Sequence, residues 1–230
     1  MTLVQLDAIQ VVAFDLDDTL YPERSFALSG FELVGGWLRG RIDCPFDPAM
    51  RMRELFDAGC RGHIFDKVLA ELACPEAQAW LPEMIHLYRT HVPAIELHPD
   101  AERALRRWSV AFRLVLVSDG PLAMQQRKMA ALGLATRLDH IILTDEWGPQ
   151  YWKPHPRAFE LVEQTCGCRG PACVYLADNP AKDFVAPRGL GWRTIRIRRA
   201  GGVYATAESA ANGAPEHEVT SLDEVDITSA

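Results

Sequence analysis

The stretch Val11-Val12-Ala13-Phe14-Asp15-Leu16-Asp17-Asp18-Thr19 decides the fold of this 230-residue chain. An apolar run that begins at Ile9 ends at Phe14, and acidic residues follow it at once. Four later runs are similarly apolar, and most of them also end in polar residues: Arg113–Val117, His140–Leu143, Ala172–Ala177 and Thr194–Ile197. Because their apolar residues are continuous rather than alternating, the runs predict strands that are covered on both faces, as in a parallel sheet.

The segments between the later runs have helical spacing. They predict three helices, over Pro99–Trp108, Leu122–Leu132 and Pro156–Gln164. The second of these is rich in Ala, Met, Gln and Leu, and Gly133 ends it. Strands that alternate with helices through short turns predict an α/β fold with a doubly wound parallel sheet.

A long segment interrupts this alternation after the first strand. About 75 residues pass before the next strand–helix unit begins, and they predict helices at Phe31–Leu38, Pro48–Phe56, Ile64–Leu72 and Glu76–Tyr88. We therefore expect residues 1–22 and 97–230 to form the core domain. Residues 23–96 are expected to form a helical insertion that sits over the strand ends.

The composition sets limits on the partners of the chain. It is 48% hydrophobic and carries a net charge of −7, which argues against a nucleic acid polymer as ligand, since neutralising phosphates needs clustered Lys and Arg. The one basic cluster, Arg193–Arg199, predicts a strand with one solvated face. Neither a signal peptide nor an apolar stretch of about 20 residues is visible. We expect a cytoplasmic protein without membrane contact.

The six cysteines follow no disulfide framework, and no Cys-x-x-Cys pair occurs among them. Cys166-Gly-Cys168 has no matching pair of His or Cys residues, so it is a weak indication of a zinc site. Buried or incidental thiols in a reducing compartment are the expectation.

Polar residues gather where the predicted strands end. In an open parallel sheet, ligands bind outside the carboxyl ends of the strands, at the point where the strand order reverses. The residues expected at or beside this edge are Asp15, Asp17, Thr19, Ser118, Asp119, Lys153, Asp178 and Asp183. Their number and order are hard to explain as solvation alone.

Residues of these types suit the cleavage of a phosphate ester. Close carboxylates must share a cation to stay ionised together, and oxygen ligands suit Mg²⁺. Asp15 and Asp178 are expected to hold the ion, with the backbone carbonyl of Asp17 as a third ligand. Asp15 can attack phosphorus, and Asp17 can protonate the leaving oxygen and then deprotonate water.

The phosphoryl group itself needs hydrogen-bond donors and positive charge. Ser118 offers a hydroxyl and Lys153 a fixed charge, and backbone N–H groups near Asp17, Asp18, Asp119 and Gly120 can complete the cradle. Asp183 is expected to orient Lys153 or a metal-bound water, or to cap a helix.

Four motifs, taken together, resemble the haloacid dehalogenase superfamily. Asp15-Leu16-Asp17-Asp18-Thr19-Leu20 is similar to its first motif, Asp-x-Asp-x-Thr. Ser118, Lys153 and the segment Asp178–Asp183 resemble the second, third and fourth, in the family order. The resemblance spans about Val11 to Ile197 and implies a Rossmann-like core with a helical cap between the first two motifs. It implies a Mg²⁺-dependent phosphatase that forms an aspartyl-phosphate, with Thr19, Ser118, Asp119, Gly120 and Lys153 around the phosphate.

Two positions depart from the family pattern. Ala177 stands before Asp178 where Gly is usual, a small change. Asp119 stands where the second motif often has Asn. If Asp119 contributes mainly its backbone N–H, the extra charge is harmless, and if its side chain faces the phosphate, binding is weakened.

The same residues are compatible with other functions. A 2-haloacid dehalogenase also uses an Asp nucleophile but has no need of Asp17, and a phosphomutase needs only a suitable cap. A signalling receiver domain is disfavoured, because its phosphorylated Asp follows the third strand. By analogy, the expected substrate is a small phosphorylated metabolite, of the sugar phosphate or nucleotide class.

Overall fold

A computed structural model describes residues 3–72 and 74–229. The chain divides into two compact units. The larger comprises Met1–Glu23 and Glu96–Ala230, and the smaller comprises Arg24–Ile95. Within the described residues, none of the helices combines the length and apolar character needed to cross a membrane.

The larger unit contains two parallel sheets. Six strands form the main sheet in the order β4-β3-β2-β5-β6-β7, and β1 pairs with β8 in a separate ladder. The strands cover β1 Val4–Ile9, β2 Val11–Phe14, β3 Arg113–Ser118, β4 His140–Leu143, β5 Cys173–Ala177, β6 Arg193–Ile197, β7 His217–Val219 and β8 Val225–Ser229.

Eight α-helices and six short 3-10 segments are found in the described residues. The α-helices are α1 Glu23–Arg39, α2 Pro48–Asp57, α3 Ile64–Glu71, α4 Leu81–Thr90, α5 Pro99–Trp108, α6 Leu122–Ala131, α7 Arg157–Cys166 and α8 Val185–Gly189. The 3-10 segments are Pro75–Trp80, Leu134–Thr136, Thr144–Trp147, Pro149–Tyr151, Gly170–Ala172 and Leu222–Glu224.

The predicted α/β class with a doubly wound parallel sheet is confirmed. All four residues of β2 are fully buried, as a continuous apolar run requires when both faces are covered. The chain runs from β2 to β3 and β4 on one side, and then returns to place β5 on the other side of β2. The order therefore reverses between β2 and β5, which puts the ligand-binding crevice of such a sheet at their carboxyl ends.

The smaller unit is helical, and two of its helices differ from the prediction. Helix α1 begins at Glu23, eight positions before the predicted start at Phe31, and its first backbone N–H is capped by Asp18 Oδ1 at 2.8 Å. The predicted helix Glu76–Tyr88 is divided into a 3-10 segment and α4, with Pro82 in the first turn of α4. A proline fits a first turn but breaks a helix interior.

The basic strand β6 does not have the predicted solvated face. Arg196 is 5% exposed, and its guanidinium contacts Glu218 of β7 at 3.0 Å and the carbonyl oxygens of Tyr204 and Ala207. The prediction was wrong for this residue because β7 pairs with β6 and the following loop covers it. The six cysteines all lie in the described residues and are free thiols, three of them buried.

Asp100, at the start of α5, fixes the loop that follows β6 to the core. Its carboxylate accepts hydrogen bonds from Arg199 at 2.6 Å, from Ser221 at 2.8 Å and from the Leu222 N–H at 2.7 Å. Burial would raise the pKa of Asp100, but these donors lower it to about 2. Arg199 also donates to the carbonyl of Thr19 at 2.9 Å, so this contact supports the loop after β2.

We expect Asp100→Asn to lower the free energy of unfolding by about 3 kcal/mol at pH 7, because it leaves the Arg199 side chain, which is only 10% exposed, without its counter-charge. Urea unfolding measures the change. The contribution of Asp100 is complete above the ordinary carboxyl pKa and is lost as the pH falls towards about 2. The control is Asp223→Asn, which breaks the exposed pair with Arg103 and should cost at most about 0.5 kcal/mol. Equal losses in both variants would contradict the prediction.

Candidate active site

Three buried carboxylates meet at the switch point between β2 and β5. Asp15 directly follows β2, and its N–H donates to the carbonyl of Leu176 in β5 at 2.9 Å. Asp178 directly follows β5, and Asp183 lies five residues further on. One oxygen from each of the three carboxylates falls within 4.8 Å of the others. The strand pairing therefore brings together acids that are far apart in the sequence.

Lys153 joins this cluster as its counter-charge. Its ammonium group lies 2.5 Å from Asp15 Oδ1 and 2.9 Å from Asp183 Oδ1, and it donates to the Tyr175 hydroxyl at 2.9 Å. The side chain is 1% exposed. Burial alone would lower the pKa of Lys153, but the carboxylates of Asp15 and Asp183 raise it well above its ordinary value. Lys153 therefore carries a permanent positive charge in a low-dielectric site.

One lysine does not neutralise three carboxylates. Burial, with smaller contributions from the Asp183 and Asp17 charges, raises the pKa of Asp15 to about 7 although Lys153 lies beside it. Burial and the charges of Asp15 and Asp183 raise the pKa of Asp178 well above its ordinary value. Asp183 Oδ1 is buried beside the Lys153 ammonium at 2.9 Å, in a geometry that makes no hydrogen bond. A divalent cation with oxygen ligands fits this set of donors.

Asp17 lies beside a different lysine. Its Oδ1 accepts a hydrogen bond from Lys128 Nζ at 2.6 Å and another from the Tyr21 hydroxyl, and Oδ2 is 3.3 Å from Gln125 Nε2. Burial tends to raise the pKa of Asp17, but the Lys128 charge and these hydrogen bonds bring it below its ordinary value. These contacts favour the ionised carboxylate, the form that can accept a proton.

Groups suited to a phosphate surround the acids. Thr19 Oγ1 is buried without a hydrogen-bond partner, and Ser118, the last residue of β3, is 1% exposed. Gly120 has φ +115°, a conformation that favours glycine, and a Cβ there would lie 2.8 Å from Gln125 Nε2. Glycine at this position therefore leaves room for the Gln125 amide, which donates to the Asp119 carbonyl.

The carboxylate of Asp119 accepts hydrogen bonds from other residues of the protein. Its Oδ1 accepts from the Thr144 hydroxyl at 2.8 Å and from the Lys153 N–H at 3.1 Å, and its Oδ2 accepts from Lys182 at 2.6 Å. Burial would raise the pKa of Asp119, but Lys153 and Lys182 together lower it. The carboxylate thus holds the Lys153 backbone in place, and Lys182 balances its charge. This geometry agrees with the first of the two alternatives for Asp119.

The contacts of the predicted residues also depend on side chains that the sequence did not single out: Tyr21, Gln125, Lys128, Tyr175 and Lys182. Asp18 was expected to offer its backbone N–H, and the structure gives its side chain a further role. Asp18 has φ +49°, and its carboxylate accepts from the Glu23 and Val203 N–H groups. Lys182 was visible inside the fourth motif. For Lys128 the available signal was a lysine on the buried face of α6, three positions after Gln125 and next to Met129.

The fold and this site together identify the family. The family model for haloacid dehalogenase-like hydrolases matches residues 9–191, and the chain belongs to that family. The match includes the four predicted motifs.

Relatives of two activities resemble the chain over nearly all its length. Glyceraldehyde 3-phosphate phosphatase from Methanocaldococcus jannaschii is 27% identical to this chain, and the alignment covers 95% of this chain and 96% of the phosphatase. (S)-2-haloacid dehalogenase from Pseudomonas sp. (strain YL) is 32% identical to this chain, and the alignment covers 94% of this chain and 93% of the dehalogenase. A magnesium-bound hydrolase of this family from Bacillus subtilis superposes with a TM-score of 0.68 at 16% identity, covering 94% of this chain and 96% of its own. These likenesses establish a hydrolase fold and leave the reaction to be argued from the site.

We expect Asp178→Asn to stabilise the cation-free protein at pH 8. A buried carboxyl group with a raised pKa destabilises the fold once the pH rises above the pKa of the unfolded chain, by roughly 1.4 kcal/mol per pKa unit. Urea unfolding in EDTA should show the gain at pH 8 and a smaller gain at pH 5, because the destabilisation by a raised carboxyl pKa grows with pH above the pKa of the unfolded chain. Glu208→Gln, which removes an exposed charge, is the control. A loss of stability at pH 8 would show that Asp178 makes favourable contacts without a cation.

Proposed function

We propose that the chain is a Mg²⁺-dependent phosphatase that cleaves small phosphomonoesters through an aspartyl-phosphate on Asp15. The observation that carries this proposal is the Asp15–Asp17 pair. Asp15 lies in the buried acid cluster, and Asp17 presents a second carboxylate two residues along, held by its own lysine. A phosphatase needs both groups, because its leaving group is an alkoxide that must be protonated.

The ion, when bound, would neutralise charge on the phosphoryl oxygens and on Asp15. Asp15 and Asp178 would hold it, with the Asp17 carbonyl as a further ligand. Asp183 Oδ1 is paired by charge with Lys153 but accepts no hydrogen bond among the described residues, which supports a position for this acid beside the ion or its waters. Thr19, Ser118, Lys153 and the backbone of Asp119 and Gly120 would bind the phosphoryl group.

The reaction has two steps. A carboxylate oxygen of Asp15 attacks phosphorus, the ester P–O bond breaks, and the leaving oxygen takes a proton from Asp17. Water then attacks the phosphoryl group on Asp15, gives a proton to Asp17, and inorganic phosphate leaves. The lowered pKa of Asp17 favours the carboxylate, which is the form required for the second step. For the first step it must bind a proton before the ester bond breaks.

A small phosphorylated metabolite, of the sugar phosphate or nucleotide class, is the proposed substrate. The phosphatase relative that matches 95% of this chain is named for a three-carbon sugar phosphate. The second candidate is 2-haloacid hydrolysis, favoured by the relative that is 32% identical. A departing halide needs no proton, so that reaction leaves Asp17 and its buried lysine without a role.

We expect Asp15→Asn to lower Mg²⁺-dependent phosphate release by about 10⁴-fold or more, as the loss of a nucleophile does. The panel comprises p-nitrophenyl phosphate, sugar phosphates, nucleoside monophosphates, phosphoserine and, for halide release, 2-chloropropionate. Asp223→Asn is the matched control. Phosphate release that survives in Asp15→Asn would rule out Asp15 as the nucleophile. Halide release without phosphate release would favour the dehalogenase, and inactivity on every ester would also reopen the phosphomutase.

We expect Mg²⁺ to raise the melting temperature of the wild type in the absence of substrate. A ligand at 100 times its Kd stabilises the folded state by about 2.7 kcal/mol. Asp178→Asn should lose most of this response, whereas Glu208→Gln should keep it. A response of the same size in Asp178→Asn would place the ion elsewhere.

A further inference from the structure

Lys128 is a buried cation in direct contact with the proposed acid–base residue. Its side chain is 2% exposed, and its ammonium group donates to Asp17 Oδ1 at 2.6 Å. Burying an ammonium group is costly unless it is paired. A methionine or leucine would fill this position on α6 at less cost, so the lysine has a role other than packing.

The two carboxylate oxygens of Asp17 have different contacts. Oδ1 accepts from both Lys128 and the Tyr21 hydroxyl, whereas the contact of Oδ2 with Gln125 Nε2 is the longer one, at 3.3 Å. The side chain of Asp17 is 23% exposed, so the group as a whole remains accessible. Oδ1 is therefore the anchored oxygen, and Oδ2 is the one able to exchange a proton with a bound ester.

Gln125 connects this anchor to the phosphate loop. Its Nε2 also donates to the carbonyl of Asp119, directly before Gly120. Gln125 and Lys128 are three positions apart on α6, so they lie on the same face of the helix. One face of α6 thus holds both the acid–base residue after β2 and the loop after β3.

We propose that Lys128 is a positioning residue for Asp17, which, with Tyr21, anchors Oδ1 so that Oδ2 faces the leaving oxygen. This inference rests on the proposed function. Lys128 itself does not contact the substrate. The loss of Lys128 should therefore slow only the step that protonates the leaving group, because Asp15 and Lys153 keep their own contacts.

The test compares substrates that differ in their need for a proton. An alkyl phosphate releases a poor leaving group and depends on Asp17, whereas p-nitrophenolate departs without protonation. In Lys128→Met we expect kcat to fall about 10²-fold for an alkyl phosphate, since small misplacements of a catalytic group cost this much. For p-nitrophenyl phosphate the fall should be less than about 5-fold, and KM for both should stay within about 2-fold.

Arg127→Met is the matched control, because it removes an exposed positive charge from the neighbouring position of the same helix. It should leave both substrates unaffected. Tyr21→Phe removes the other donor to Oδ1 and should show the same preference at about 10-fold. This second variant keeps the inference testable if Lys128→Met does not fold.

A double-mutant cycle separates a direct action on Asp17 from a general loss of structure. Adding Lys128→Met to Asp17→Asn should reduce alkyl phosphate cleavage no further, because the residue through which Lys128 acts is already gone. Equal losses on both substrates, or additive losses in the cycle, would overturn the inference and leave the phosphatase intact. A wild type that releases phosphate from no ester would instead overturn the proposed function.

Discussion

The structure depends on the enclosure of three carboxylates around one ammonium group. Asp15, Asp178 and Asp183 approach within 4.8 Å, and Lys153 is the buried cation that contacts two of them. Their mutual repulsion in a low-dielectric site is the cost of the arrangement. The surrounding sheet must be rigid enough to hold them against that repulsion, and the fully buried β2 and β5 provide this rigidity.

A second layer of charge keeps this centre in position. Asp119 fixes the Lys153 backbone and is itself balanced by Lys182, while Asp17 is balanced by Lys128. Asp119 and Asp17 therefore each have a cation beside them, whereas Asp15 and Asp178 carry the excess negative charge. That excess is confined to the place where a divalent cation fits. This distribution of charge, more than any single residue, supports the proposed cation site over a set of ordinary ion pairs.

The sequence was sufficient for the sheet and for the order of the motifs, because continuous apolar runs and the acids after them are local signals. It was insufficient where a contact joins distant segments. The pairing of β1 with β8 was missed, since six residues of mixed burial carry no clear period. The buried role of Arg196 was missed because β7 and its loop lie outside the strand itself. Lys128 was missed because a lysine in a helix is usually solvated.

The role of the Asp119 side chain cannot be predicted from the second motif alone. Its carboxylate could face either the phosphate or the protein, and the choice depends on which partners surround it. The Lys182 charge comes from a segment after β5, 63 positions away. No pattern within the second motif contains that information.

The ladder between β1 and β8 joins two segments that are far apart in the sequence. Its side chains Asp7 and Thr228, which share a 2.7 Å hydrogen bond, are separated by 221 positions. The six-stranded sheet does not include this ladder, so β8 can detach from β1 while the main sheet stays paired. An uncovered strand edge is a template for pairing with other chains. Detachment of β8 would therefore expose β1 to pairing with other molecules without unfolding the sheet that carries the acid cluster.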